Sequence, residues 1–336
     1  MAAGYLRVVP SRPPGPGRVG IAEASAPTRT PASIPTMPDT TDRPRLSGFT
    51  IVKNASVHDY PVEASLRSAL RFCDEVVVNV GQSRDDTLER VRALDDPRMR
   101  ILHRVWPEPR GSRLRELADE TNIALDACRH DWALYLQADE VLHEDDEPAL
   151  LSAVERADAD PRVEGLLFDF LHFEGSPDWE LRGRRRHRRE VRVVRQAADV
   201  RSVRDALSFR VGGAGGRVPR VLRSGARIFH YNYVKSREGL DAKRRLWVRS
   251  EGGDPDEADP HTFYRYRGLR RFEGDHPEVM EEWLAGRDWP FDPESASRPP
   301  WNLKTLKVLL SDAVERRTGR RIWENRNWEL VGDDGA

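Results

Sequence analysis

An apolar run from Trp132 to Leu136 ends in Gln137, Ala138, Asp139 and Glu140, and His143, Glu144, Asp145 and Asp146 follow almost at once. Carboxylates gathered at one point bind hard divalent cations such as Mg2+ or Mn2+. Such an ion can bridge diphosphate oxygens and neutralise a leaving group. The acids Glu144 to Glu147 equally suit the first turn of a following helix, where negative charge meets the helix dipole. Asp139 and Glu140 stand at the strand end itself, the place where α/β sheets present ligand-binding groups. His230 closes the strand-like "ARIFH" and suits either a metal ligand or a satisfied histidine among aromatics. Trp106, in the loop after "RMRILHRV", offers an aromatic face for a sugar or base.

These groups need a scaffold, and the flanking sequence supplies one. "FTIVKNA", "DEVVVNVG", "RMRILHRV" and "WALYLQ" read as strands. Between them, "YPVEASLRSALRFC", "SRDDTLERVRAL" and "SRLRELADETNIALDAC" carry apolar residues at helical spacing. Strands alternating with helices of these lengths predict parallel βαβ units and an α/β fold. Farther on, "VEGLLFDFLHFEG", "REVRVVR" and "GARIFHYNYV" read as strands. "EPALLSAVERA", "REGLDAKRRLWVRS", "HPEVMEEWLAG" and "LKTLKVLLSDAVERR" read as helices. "GGAGG" at 212–216 is a turn, because it lacks both phosphate-loop and dinucleotide-loop spacing.

The 336 residues carry 55 Lys and Arg against 56 Asp and Glu, a net charge of -1 that gives no global pull toward nucleic acid or anionic lipid. The two cysteines form neither a disulfide framework nor a zinc signature, which fits a reducing compartment. No 18-residue apolar run predicts a membrane span. Residues 1–46 are rich in proline and small residues and are expected to be disordered. Residues 47–235 are expected to form the main domain, and 236–330 a helical extension packed on it.

Taken in order, "FTIVKNA", "CDEVVVNVGQSRDDT", "ETNIAL" and "DWALYLQADEVLHE" resemble the nucleotide-binding half of family-2-like glycosyltransferases with the GT-A fold. Downstream, "REVRVVR", "DALSFR", "IFHYNYVKSREGLDAK" and "FEGDHPEVM" resemble a bacterial branch of them. The resemblance covers roughly residues 48 to 285, and "LYLQADEV" is its most specific part. It implies a mostly parallel, Rossmann-type sheet flanked by helices, a nucleotide-sugar donor and an inverting transfer assisted by Mn2+ or Mg2+. The acceptor would be a glycan, a lipid-linked glycan or a small molecule. The location would be cytoplasmic, or peripheral at the inner membrane face.

Residue by residue, Asp139 matches the metal-binding Asp of the Asp-x-Asp motif, and Gln137 replaces its first Asp. Val80 and Gly81 stand where many members carry a nucleoside-binding Asp. Nucleoside contacts then fall to Asn54, Gln82, Ser83 or Asp85, and Asn122 matches a position facing the donor phosphates. Asp205 and Glu190 are the candidate bases. Among the seven arginines of 182–192, Arg192 lies within a strand pattern and is the preferred donor contact. Trp106 and Glu140 are expected at the sugar or acceptor. Two rivals remain. One is a nucleotidyltransferase, disfavoured because "IVKNASVHDYP" is no glycine-rich basic loop. The other is a non-catalytic sugar-nucleotide or glycan-binding module, favoured by Gln137 and the missing nucleoside Asp.

Overall fold

A computed structural model describes residues 43–107, 113–250, 253–287, 291–319, 322–324 and 326–332. The proline-rich segment falls almost wholly outside these residues, as do Trp289 and the final four positions. The first half runs β1 (Leu46–Val52), α1 (Val62–Phe72), β2 (Glu75–Gly81), α2 (Thr87–Arg92), β3 (Met99–Arg104), α3 (Arg113–Asp126) and β4 (Trp132–Tyr135). Next come β5 (Glu140–Leu142), α4 (Glu147–Asp158), β6 (Gly165–Glu174), β7 (Ser176–Leu181), β8 (Arg189–Arg195), β9 (Val200–Val203), β10 (Ser208–Val211) and β11 (Arg220–Tyr233). The last third holds α5 (Arg237–Ser250), β12 (Leu269–Arg271), α6 (Glu281–Ala285), α7 (Leu303–Thr318) and β13 (Glu329–Leu330).

The expected α/β sheet flanked by helices is present. Its N-terminal half is parallel in the order β3-β2-β1-β4, and β8, β6, β7 and β12 continue it with antiparallel pairings. Strand side chains alternate between faces, and both faces of this half are covered. One face carries Val76, Val78, Val80, Trp132 and Leu134 against Leu66, Leu70 and Phe72 of α1 and Leu150 and Val154 of α4. The other carries Phe49, Val77, Ala133 and Tyr135 against Ala124 and Leu125 of α3 and Phe209 of β10. Burial of these branched side chains is worth about 1.5–3 kcal/mol each.

A helical period of apolar residues explains why α1 forms where it does. Val62, Leu66, Ala69 and Leu70 recur on one helix face and are buried, while Arg71, in the last turn, meets Glu147 at 2.9 Å. Beyond β4, β11 joins the sheet by pairing in parallel with β6 and antiparallel with β5. No helix among the described residues is long and apolar enough to cross a membrane. Trp328 packs into the core, whereas Trp301 and Trp323 are exposed.

Candidate active site

The strand order reverses between β1 and β4, and such a switch opens a crevice past the strands' carboxyl ends. A cleft of about 510 Å³ lies at that point. Ile51, Val52 and Lys53 reach it from β1, and Tyr135, Gln137, Ala138 and Asp139 from β4. Trp106, Asp205 and His230 also line it, so five of the sequence candidates converge here.

Asp139 and His230 meet because β5 begins one residue after Asp139 and runs antiparallel to β11, with Glu140 opposite His230. The Tyr231 amide donates to the Asp139 carbonyl at 3.0 Å, which locks that crossing. His230 Nε2 then lies 3.7 Å from Asp139 Oδ2, too long for a hydrogen bond. His230 Nε2 is buried and has no hydrogen-bond partner. Burial pulls the Asp139 pKa up. His230, and then Lys243 and Lys235, pull it down further, so the carboxyl is held well below the usual range.

Two further histidines, not singled out in the sequence, join this pair. The parallel register of β6 and β11 places His172 beside His230, with their Nδ1 atoms 2.8 Å apart. His187 comes from the segment between β7 and β8, and its ring meets that of His172 edge-on at 4.5 Å. Its Nε2 is also buried without a partner. Ring nitrogens of the three histidines lie within 4.8 Å of one another, a spacing that can hold a metal ion. Burial, reinforced by the neighbouring histidines and arginines, lowers the His172 and His187 pKa values well below the ordinary imidazole range.

The rest of the lining mixes apolar and aromatic side chains with four cations. Lys53, Arg185, Arg186 and Lys243 all face the cleft. Arg186 is anchored by Glu174 at 2.6 Å and lies 4.1 Å above the Tyr233 ring. Arg185 donates to Thr305 Oγ1 at 2.9 Å. Lys243 and Trp247 stand one helical turn apart on α5, which sends both into the cleft. Burial, the neighbouring Lys235 and Arg186 lower the Lys243 pKa to about 7, against the pull of Asp139. On the opposite wall Trp106 is buried, and the Lys53 ammonium sits 5.5 Å over its ring. A Cβ on Gly81 would come 2.7 Å from this indole, so the end of β2 must be glycine for the ring to seat there.

Asp205 sits on the turn joining β9 to β10. Its neighbours Arg204 and Ala206 have φ values of +58° and +59°. Non-glycine residues in that region cost of order 1–3 kcal/mol each and persist only where the surroundings impose them. Here the Gln137 side chain lies 3.5 Å from the Ala206 carbonyl, and Arg192 Nη1 donates to the Leu207 carbonyl at 3.0 Å.

The remaining candidates do not line the cleft. Glu140 and Arg192 are fully buried and bind each other, so neither makes the expected sugar or donor contact. Asp85 accepts from the amides of Ser56, Val57 and Thr87, which spends it on shaping the loop. Asn54 accepts from the Arg84 amide at 2.9 Å, and Ser83 accepts from the Asn54 amide and donates to the Gly81 carbonyl. Gln82 is exposed outside the cleft. Asn122 clamps the Ser202 backbone, donating to its carbonyl at 3.0 Å and accepting from its amide at 2.8 Å. Glu190 is buried away from the cleft, and burial raises its pKa to about 7. Of the acids after Glu140, Asp146 binds Arg227 at 2.9 Å and Glu147 binds Arg71, both at the start of α4.

No family model and no curated protein matches the chain. Among solved structures it is similar to S. aureus TarS, residues 1–349, at 14% identity over 61% of this chain and 65% of that one, with a TM-score of 0.36. The same protein in complex with UDP aligns at 18% identity over 39% and 37%, with a TM-score of 0.31. Glucosyl-3-phosphoglycerate synthase from Mycobacterium tuberculosis, in complex with Mn2+, UDP and phosphoglyceric acid, aligns at 20% identity over 40% and 45%, with a TM-score of 0.28. The chain thus spans between about a third and two thirds of the length of these structures.

Proposed function

We propose that the chain is a glycosyltransferase that moves a sugar from a nucleotide-sugar donor to an acceptor hydroxyl with inversion, assisted by a divalent cation. The observation that carries this is the juxtaposition of Asp139 with the orphaned His230 Nε2 at the carboxyl ends of β1 and β4. A buried carboxylate beside a buried, partnerless nitrogen is costly unless a cation joins them. The donor set, one carboxylate oxygen and one imidazole, suits Mn2+ and accommodates Mg2+ less well. When bound there, the ion would neutralise charge developing on the departing diphosphate.

The chain's own residues do the rest. Lys53, Arg185, Arg186 and Lys243 hold the diphosphate by charge. Trp106 gives an apolar face to a sugar or base ring, and Gln137 offers an uncharged amide where a carboxylate would repel the phosphates. Asp205 takes the proton from the attacking hydroxyl, positioned by its constrained turn. Residues 47–235 serve as the catalytic unit, and 236–330 close one wall of its cleft through α5.

The test is a panel of UDP- and GDP-sugars with and without Mn2+, read as release of free nucleoside diphosphate and as a shift in melting temperature. Turnover lost in Asp139→Ala is the expected result. Donors that stabilise the protein with Mn2+ but are never turned over would favour the binding-module alternative. Silence in both readouts would end the proposal.

A further inference from the structure

We propose that His172 is a positioning residue: it fixes which nitrogen of His230 carries hydrogen, and so which one faces the metal. This rests on the assignment of Asp139 and His230 as metal ligands. His172 Nε2 lies 2.7 Å from the main-chain carbonyl oxygen of His187. A carbonyl oxygen only accepts, so Nε2 bears the proton. A neutral imidazole has one N–H, which leaves His172 Nδ1 as a lone pair. That lone pair lies 2.8 Å from His230 Nδ1, so His230 donates through Nδ1. Its Nε2 is then a bare lone pair that can take a cation, and Nε2 lies 3.7 Å from Asp139 Oδ2.

The opposite assignment fails. Placing hydrogen on His172 Nδ1 would leave its Nε2 lone pair against the carbonyl lone pairs of His187, both buried. The surroundings hold the ring still, with Phe170 stacked on His172 at 5.4 Å and His187 edge-on. Parallel register between β6 and β11 sets the pair, so the relay is built into the sheet. A hydrogen bond to the non-ligating nitrogen orients a metal-binding histidine and raises its basicity.

The experiment uses the full chain with 15N-labelled histidine, His172→Phe, His172→Asn and Asp139→Ala. Phenylalanine keeps a flat ring against Phe170 but offers no acceptor, whereas the asparagine amide can place one near the lost Nδ1. Long-range 15N–1H spectra of the metal-free protein report the His230 hydrogen, and Mn2+ titration by calorimetry reports affinity. We expect His230 to carry hydrogen on Nδ1 in the parent and to lose that fixed state in His172→Phe. Mn2+ affinity should fall about 10- to 100-fold in His172→Phe and recover in His172→Asn. A parent His230 with a bare Nδ1 overturns the inference, even if the phenylalanine variant does not fold. So does unchanged affinity in His172→Phe while Asp139→Ala loses Mn2+, in which case the metal site stands. Mn2+ binding that survives Asp139→Ala overturns the metal assignment as well.

Discussion

Arg192 grips both carboxylate oxygens of Glu140, Nε to Oε2 at 2.8 Å and Nη2 to Oε1 at 2.7 Å, with neither side chain exposed. The same guanidinium donates to the Leu207 carbonyl, and Glu140 accepts from the Gln137 amide at 3.1 Å. The pair therefore fastens the segment that carries Asp139 to the turn that carries Asp205. Arg192→Met should cost about 3–5 kcal/mol, because it strands a buried carboxylate. Urea denaturation measures this. Adding Glu140→Gln should restore part of the loss, and a single variant as stable as the parent would contradict the account.

Asp205→Asn should lower kcat by about 10²- to 10⁴-fold, the usual contribution of a positioned base. It should leave the Mn2+-dependent thermal shift with donor unchanged, because Asp205, on the β9–β10 turn, is not one of the proposed ligands. Single-turnover assays with saturating donor separate the two effects.

Glu190 gives a stability prediction with a definite sign. Burial raises its pKa to about 7 from 4.5, so the folded state favours the protonated form. The resulting stabilisation is full below pH 4.5 and is lost as pH rises through 7. The difference corresponds to about 3 kcal/mol. Glu190→Gln should remove this slope and raise stability at pH 8, in chemical denaturation followed across pH. The proposed transferase activity should persist in this variant, since Glu190 does not line the cleft.

Lys243 should make donor binding pH-dependent. With its pKa lowered to about 7, it is cationic below that pH and neutral above it. Affinity for a nucleoside diphosphate should therefore weaken as pH rises from 6 to 9. In Lys243→Met the affinity should be lower at pH 6, and the slope should flatten. Calorimetric titration with UDP at several pH values checks both.

The sequence made the scaffold legible where local pattern and burial agree. The β-branched run of β2 and the spaced apolar residues of α1 declare themselves. Asp139, Gln137 and Trp106 were legible because ligand-side positions follow directly from strand ends. Asn54, Ser83, Asp85 and Asn122 misled for a shared reason: a polar side chain aimed at backbone looks, in sequence, like one aimed at a ligand. Glu140 and Arg192 misled because a carboxylate and a guanidinium 52 positions apart carry no mark of their pairing. His172 was missed because only strand register brings it to His230, and His187 because it arrives from the segment between β7 and β8. Lys243 and Trp247 needed the docking of α5, which no local pattern specifies.

The carbonyl that receives the His172 hydrogen belongs to the arginine-bearing segment between β7 and β8. Two hydrogen bonds therefore link the segment of Arg185 and Arg186 to the proposed cation ligand His230, a route by which anion capture would reach it. By reciprocity, whatever factor bound UDP adds to Mn2+ affinity, bound Mn2+ adds to UDP affinity. The two halves of the donor complex would then assemble as cooperative ligands.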